Sequence, residues 1–185
     1  FGMGTEIAPG QYVIHNGTNT TAFDLTNLQP NTTYYFAFYE YSGSGSGTEY
    51  LTSQHLEGNQ ATLSAPTVSA SDPAITNVTN NSIALSWTRG NGARRLVVVK
   101  AGGPVDVNPV QLTKYTVSSN INSASHLGNG NYAVYFSNTS SVTVNGLQPG
   151  TEYHFAIFEA NGNEGPVYKL TDPARISQTT AGRTT

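Results

Sequence analysis

Four histidines, seven glutamates, four aspartates and no cysteine are the raw material from which this 185-residue chain could assemble a chemical centre. His15, His55, His126 and His154 are scattered and form no HExxH-type pair, so the familiar helical zinc motif is missing. No serine stands in a nucleophile-elbow context, and without cysteine there is neither a thiol nucleophile nor a thiolate metal site. Four aspartates spread along the chain do not make an acid-rich calcium loop. Glu40 and Glu159 are the most suggestive acids, because they end two matching segments. As a pair they would offer a general acid and a base, but they fall in separate domains and cannot flank one bond. Glu159 is instead expected to meet Lys100 across neighbouring strands, an exposed ion pair worth ~0.5 kcal/mol. His154 lies on the outward phase of its strand and reads as a solvated histidine. No catalytic residue, cofactor or metal site is therefore predicted.

Two further motifs read as surface features. Arg89-Gly90-Asn91 lacks the acid of an integrin-binding tripeptide and reads as a turn. Asn16-Gly17-Thr18, Asn19-Thr20-Thr21, Asn31-Thr32-Thr33, Asn77-Val78-Thr79, Asn80-Asn81-Ser82 and Asn138-Thr139-Ser140 fit the N-glycosylation pattern, in a chain rich enough in Asn and Thr to produce it by chance.

Composition narrows the class. Hydrophobic residues are 37%, enough for a packed core, but no apolar run approaches the ~18 residues of a spanning helix, so membrane insertion is not expected. Charged residues are only 10%, against ~25% in most soluble domains. Thr, Ser, Asn, Gly and Tyr take their place, which is the vocabulary of strands and turns. A net charge of -3 without a basic stripe argues against nucleic-acid binding. The chain opens on Phe1 with no signal-peptide pattern and reads as a piece of something longer.

The elements that would hold any site are announced by a repeat. Gly10-Gln11-Tyr12-Val13-Ile14 and Leu28-Gln29-Pro30-Asn31-Thr32-Thr33-Tyr34-Tyr35-Phe36-Ala37-Phe38-Tyr39-Glu40 return as Gly130-Asn131-Tyr132-Ala133-Val134 and Leu147-Gln148-Pro149-Gly150-Thr151-Glu152-Tyr153-His154-Phe155-Ala156-Ile157-Phe158-Glu159. The offset is 120 at the glycine and 119 at the leucine, too long for a solenoid unit and right for tandem domains. A turn-rich joint from Ser64 through Pro66 and Pro73 opens the second copy. Ile75 to Val78 reads as a short strand, and Ser82 to Trp87 alternates so as to bury Ile83, Leu85 and Trp87. Arg95 to Lys100 is apolar on both faces, as in a central strand. Residues 105–127 carry no periodicity and read as an ordered loop or insertion, with at most a short strand at 114–117. Strands return at Tyr132–Tyr135, Ser141–Val144 and Thr151–Ala160, and a last one lies between Val167 and Thr180, broken at Asp172-Pro173. Ser42-Gly43-Ser44-Gly45-Ser46-Gly47 reads as a flexible hairpin connection. The fold class is all-β, an antiparallel Greek-key sandwich.

Leu147-Gln148-Pro149-Gly150-Thr151-Glu152-Tyr153 resembles the tyrosine corner of fibronectin type III domains, and Leu28-Gln29-Pro30-Asn31-Thr32-Thr33-Tyr34 is the same element again. Trp87 resembles the buried tryptophan of that family's second strand. The resemblance implies a complete immunoglobulin-like domain at residues 65–181, longer than usual because of residues 105–127, and a short tail at 182–185. It implies that residues 1–64 hold only the C-terminal half of a preceding domain. Tyr34 and Tyr153 would be the corner tyrosines, and Trp87, Leu85, Phe155 and Phe36 core residues. Tyr34, Phe36 and Phe38 would face inward as Tyr153, Phe155 and Ile157 do, leaving several hundred Å² of apolar surface with nothing to cover it.

Tyr35, Tyr39 and Tyr41 alternate outward, with Phe158 in the corresponding place of the second copy, and are the candidate interaction surface. The chain is similar in style to fibronectin type III modules strung along large secreted bacterial surface proteins. That implies a non-catalytic extracellular spacer or adhesive stalk, secreted or at the cell surface. Its partners would be neighbouring domains of the same polypeptide, and further another protomer or an extracellular glycan or protein. Two other readings stay open: a filament subunit completed by strands from a neighbouring chain, and a carbohydrate-binding accessory of a secreted hydrolase.

Overall fold

A computed structural model describes residues 4–18 and 22–183 and divides the chain into two compact units, residues 1–63 and 64–185. The Asn19-Thr20-Thr21 sequon, the first three residues and the last two of the tail lie outside the described residues.

In the first unit the described residues form three separate antiparallel pairs. β1 (Thr5–Ala8) pairs with β2 (Gln11–Val13), β3 (Thr33–Phe38) with β6 (Leu56–Ala61), and β4 (Tyr41–Ser42) with β5 (Glu49–Tyr50). The glycine–serine run joins β4 to β5 through a single 3-10 turn at Gly45–Gly47, closed by the Thr48 hydroxyl on the Gly45 carbonyl at 3.0 Å. No described residue of this unit is buried. Tyr34 and Phe36 are half-buried, and Phe38, which is expected to face inward, is 51% exposed. The period-two pattern is present, but none of its described residues is fully buried.

The second unit is an antiparallel sandwich. Its smaller sheet runs β12 (Ser141–Asn145), β8 (Ser82–Thr88), β7 (Ser71–Val78). Its larger sheet runs β10 (Ser125–Gly128), β11 (Asn131–Ser137), β9 (Arg94–Ala101), β13 (Glu152–Asn161), with both β14 (Val167–Tyr168) and β15 (Ala174–Thr179) on the far edge of β13. β7 is an edge strand and starts earlier than the sequence suggests. It accommodates Pro73 at a register shift between Ser71 and Ala74, where an edge tolerates the missing N–H. The last two strands are separated at Asp172-Pro173, with Asp172 at φ 50°.

Between the sheets Ile83, Leu85 and Trp87 meet Val97, Val99, Val134, Tyr153, Phe155 and Ile157. Trp87 is 5% exposed and stands edge-on to Tyr135, with ring centroids 5.6 Å apart. A second core lies on the opposite face of the large sheet, where Leu96, Val98, Ala156, Phe158, Ala160 and Tyr168 pack under Val105, Tyr115, Val117 and Leu127. Residues 105–127 are thus a roof over that face, with no strand at 114–117 and one 3-10 turn at Ile121–Ser123. The roof is pinned by hydrogen bonds rather than by a ladder. Gln111 exchanges bonds with the Tyr168 backbone at 2.7 and 2.9 Å, the Tyr168 hydroxyl donates to the Thr113 carbonyl at 2.8 Å, and Arg175 donates to the Val105 carbonyl at 2.9 Å. Burial, and then the neighbouring Tyr115, push the Tyr168 phenol well above the usual tyrosine range.

Candidate functional site

The repeat in sequence is a repeat in hydrogen bonds. In the second unit the Tyr153 hydroxyl accepts from the Gln148 N–H at 2.9 Å. In the first, Tyr34 accepts from the Gln29 N–H, also at 2.9 Å. The turn preceding each tyrosine needs a left-handed residue, filled by Gly150 at φ 63° and by Asn31 at φ 53°, a residue that tolerates that region. A threonine closes each corner from the last strand. Thr180 donates to the Gln148 carbonyl at 2.6 Å and accepts from the Thr151 N–H at 3.0 Å. Thr62 donates to the Gln29 carbonyl at 2.6 Å and accepts from the Thr32 N–H at 3.0 Å. Sequence reasoning missed this pair. The signal was present in Asn59-Gln60-Ala61-Thr62 against Ser177-Gln178-Thr179-Thr180, which extends the repeat by one more strand. The hairpins agree as well: β1–β2 and β10–β11 share one register and one bulge, and Gly10 and Gly130 both have φ 76°.

The most demanding polar arrangement surrounds Glu159. Its carboxylate accepts from the Arg95 Nε at 3.1 Å, the Gly90 N–H at 2.9 Å and the Gly92 N–H at 2.8 Å. Arg95 spends its other nitrogens on the Asn138 carbonyl at 2.8 Å and the Gly92 carbonyl at 2.9 Å. The two side chains are 2% and 0% exposed, so the charges are out of water but fully paired. Gly92 must be glycine, because a Cβ there would come within 2.5 Å of the Glu159 carboxylate and 2.9 Å of the Ala160 backbone.

The expected Lys100–Glu159 pair is not formed. β9 and β13 are antiparallel, so the end of one meets the start of the other: Glu159 stands opposite Arg95, and Lys100 opposite His154. Lys100 instead donates to Asp106 at 2.6 Å. The second Asp106 oxygen accepts from the buried Asn131 amide at 2.7 Å, and these two bonds hold its carboxyl below the usual aspartate range.

The candidate interaction residues separate. Tyr35 is 79% and Tyr39 46% exposed, with Tyr39 stacked on His55 at 4.7 Å. Tyr41 is half-buried against Tyr50. Phe158 is fully buried, which corrects its assignment to a surface. It does point away from the main core, as its phase requires, but residues 105–127 cover it. Tyr39, Tyr41 and Tyr50 occupy the places of Phe158, Ala160 and Tyr168 in the paired strands, all three of which lie in the roofed core. Tyr39, Tyr41 and Tyr50 are therefore the counterparts of core residues, whereas Tyr35 corresponds to the half-buried His154. Trp87, Leu85 and Phe155 are buried, whereas Phe36 is only half-buried.

Among the described residues no set of side chains converges as a reaction centre. His154 is half-buried, with Nε2 3.4 Å from the Glu152 carboxylate, an ion-pair distance without hydrogen-bond geometry. His55 meets Glu57 at 2.8 Å, and His15 stacks on Phe23. Among the described residues no group of three His, Asp or Glu could hold a metal ion. A cleft of about 300 Å³ beside the tyrosine corner is lined by Ala101, Ile121, Asn122, Tyr132, Gly146, Gln148 and Tyr153, with no carboxylate, imidazole or amine among them. The Asn91 side chain of the Arg89-Gly90-Asn91 turn is engaged internally, accepting from the Thr67 and Val68 N–H groups at 3.0 and 2.9 Å.

A sandwich closed by a tyrosine corner, with a tryptophan on its second strand, defines an immunoglobulin-like module. The chain belongs to the fibronectin type III domain family, whose model matches residues 64–170, more than half of its length. Among solved structures it is similar to domains d3–d4 of the rat CD45 extracellular region, at 17% identity, covering 95% of this chain and 79% of that one, with a TM-score of 0.41. It is also similar to the fibronectin type III domain of human fibronectin type III domain containing protein 3, at 17% identity over 65% of this chain and 90% of that one, TM-score 0.40. The FN5 domain of Drosophila Lar gives 18% identity over 64% of this chain and 100% of that one, TM-score 0.40. No curated protein matches the chain.

Proposed function

We propose that this chain is a non-catalytic spacing and force-bearing element of a larger extracellular or cell-surface protein, with fibronectin type III units in tandem. The repetition of the closing bonds carries this reading: Tyr34 and Thr62 on Gln29 in one unit, Tyr153 and Thr180 on Gln148 in the other. Units that reproduce their closing bonds in this way are suited to holding a fixed geometry. Tension at the C-terminal end of the second unit reaches β15 first. That strand is held along β13 by antiparallel pairing and at its exit by the Thr180 hydroxyl. A surface with few charges of either sign also limits nonspecific attraction.

Single-molecule extension tests the reading. The second unit is expected to open in one event that releases roughly 40 nm of chain, and Thr180→Val is expected to lower the force of that event. Gradual lengthening without a discrete event contradicts it. Mixing the protein with a panel of polysaccharides and extracellular proteins tests whether the stalk is also adhesive; uniform absence of binding leaves the spacer role alone.

A further inference from the structure

Residues 64–70 lead the chain into the second unit without forming a strand, yet two asparagine side chains of that unit hold them in place. Asn91 is the main anchor. Its side-chain oxygen accepts from the Thr67 and Val68 N–H groups at 3.0 and 2.9 Å, and its amide donates to the Thr67 hydroxyl at 2.8 Å. Its own backbone N–H donates to the Val68 carbonyl at 3.4 Å. Asn161 is the second anchor: its amide donates to the Ser64 carbonyl at 2.9 Å while its oxygen accepts from the Ala93 N–H at 3.0 Å. Gly90 lets the segment lie close, because a Cβ there would come within 2.2 Å of the Val68 carbonyl oxygen. Pro66 and Ala70 are buried, whereas Thr67 and Val68 between them are exposed.

The anchors are themselves fixed by the buried ion pair. Gly90 and Gly92, on either side of Asn91, give their N–H groups to Glu159, and Arg95 binds the Gly92 carbonyl. Asn161 lies two residues beyond Glu159 on β13 and so shares its face. A buried ion pair often stabilises no more than apolar residues of the same size would. What this one adds is geometry, since it fixes the turn that aims Asn91 at residues 67 and 68. One residue before Ser64, the Leu63 carbonyl accepts from the Asn31 N–H of the first unit at 2.9 Å. With residues 64–70 held, no unanchored residue separates the last bond of one unit from the first bond of the next.

We infer that residues 64–69 form a releasable strap, latched by Asn91 and Asn161, that sets the slack of the chain where it enters the second unit. Opening the latch frees this segment while the sandwich stays whole, because Ala70 belongs to the core and β7 begins only at Ser71. The bonds to Thr67 and Val68 lie at exposed residues, where water replaces them at little cost, whereas the strands behind them are buried. The strap therefore opens before the sheets do. Its consequence under load rests on the force-bearing reading: tension from the N-terminal side meets the latch first, as tension from the other end meets β15.

Hydrogen exchange in the 185-residue protein reads the latch without load. The Thr67 and Val68 amides are expected to be protected in the parent although they are exposed and outside any strand. In Asn91→Ala they are expected to exchange at least about tenfold faster, with the amides of β9 and β13 unchanged. Asn91→Asp keeps both acceptor bonds and is expected to keep the protection. Single-molecule extension reads the latch under load. The parent is expected to lengthen by a short step of ~2 nm before the main event of the second unit. The Asn91→Ala, Asn161→Ala double variant is expected to lose that step and keep the force of the main event. The inference is overturned by unprotected Thr67 and Val68 amides in the parent, by protection indifferent to Asn91→Ala or lost equally in Asn91→Asp, or by a main event with no step before it. Loss of protection in β9 and β13 together with residues 67 and 68 makes Asn91 a general stabiliser and overturns it as well. Absence of the main event contradicts the spacer reading instead, and the exchange result then decides the strap alone, so the two failures are distinguishable.

Discussion

Arg95 and Glu159 meet at 3.1 Å on the inward faces of β9 and β13, directly opposite in the strand register. The pair terminates the main core: Val97 and Val99 continue the face of Arg95, and Ile157 and Phe155 that of Glu159. Because Glu159 also satisfies the N–H groups of Gly90 and Gly92, removing it orphans two backbone donors and a guanidinium together. Glu159→Ala is expected to cost ~3–5 kcal/mol in urea unfolding of the second unit. Arg95→Met is expected to cost about as much, and the double variant clearly less than the sum of the two.

The corner bonds are individually smaller. Tyr153→Phe removes one hydroxyl and leaves the Gln148 N–H without its acceptor, an expected loss of ~1–2 kcal/mol. Thr180→Val strips both a donor and an acceptor from the same corner and is expected to cost ~1–3 kcal/mol. Thermal unfolding of the single variants against the parent checks both values.

Phe158 and Tyr39 offer a matched contrast, equivalent in the repeat but opposite in burial. Phe158→Ala opens a cavity beneath residues 105–127 and is expected to cost ~3–5 kcal/mol. Limited proteolysis should then cut within that segment, where the parent resists. Tyr39→Ala, at an exposed position, is expected to move stability by less than ~0.5 kcal/mol.

Asp106 gives the roof an acid dependence of definite sign. The Lys100 and Asn131 hydrogen bonds lower its carboxyl from the usual 3.8, so the unfolded chain takes up the proton first as pH falls. Its contribution is complete above the ordinary aspartate range and is lost as pH drops through the lowered value. The difference in melting temperature between the parent and Asp106→Asn is expected to be steady near neutrality and to shrink below about pH 4. A difference that grows on acidification would reverse the assignment.

What could be read from the sequence was what local spacing encodes. Trp87 announced itself by alternation within one strand, and Tyr153 by a Leu-Gln-Pro-Gly run that must turn before it. Glu159 was misassigned although the same alternation that put Tyr153, Phe155 and Ile157 inward also put Glu159 inward. Its partner depends on antiparallel register between strands far apart in sequence, which no local pattern carries. Phe158 was correctly phased but placed in water, because residues 105–127 are aperiodic and a roof held by scattered hydrogen bonds leaves no period to detect. Thr180 was overlooked because its role lies in a hydroxyl at a strand exit, outside the apolar pattern that defines the strand.

Native-state hydrogen exchange tests most directly the claim that the two repeats differ in having a core. Amides of β9 and β13 should exchange only through global unfolding of the second unit, with protection of several kcal/mol. Those of β3 and β6 should exchange orders of magnitude faster, through local opening. Protection in β3 and β6 equal to that in β9 and β13, in the monomeric chain without added partner, would contradict the account.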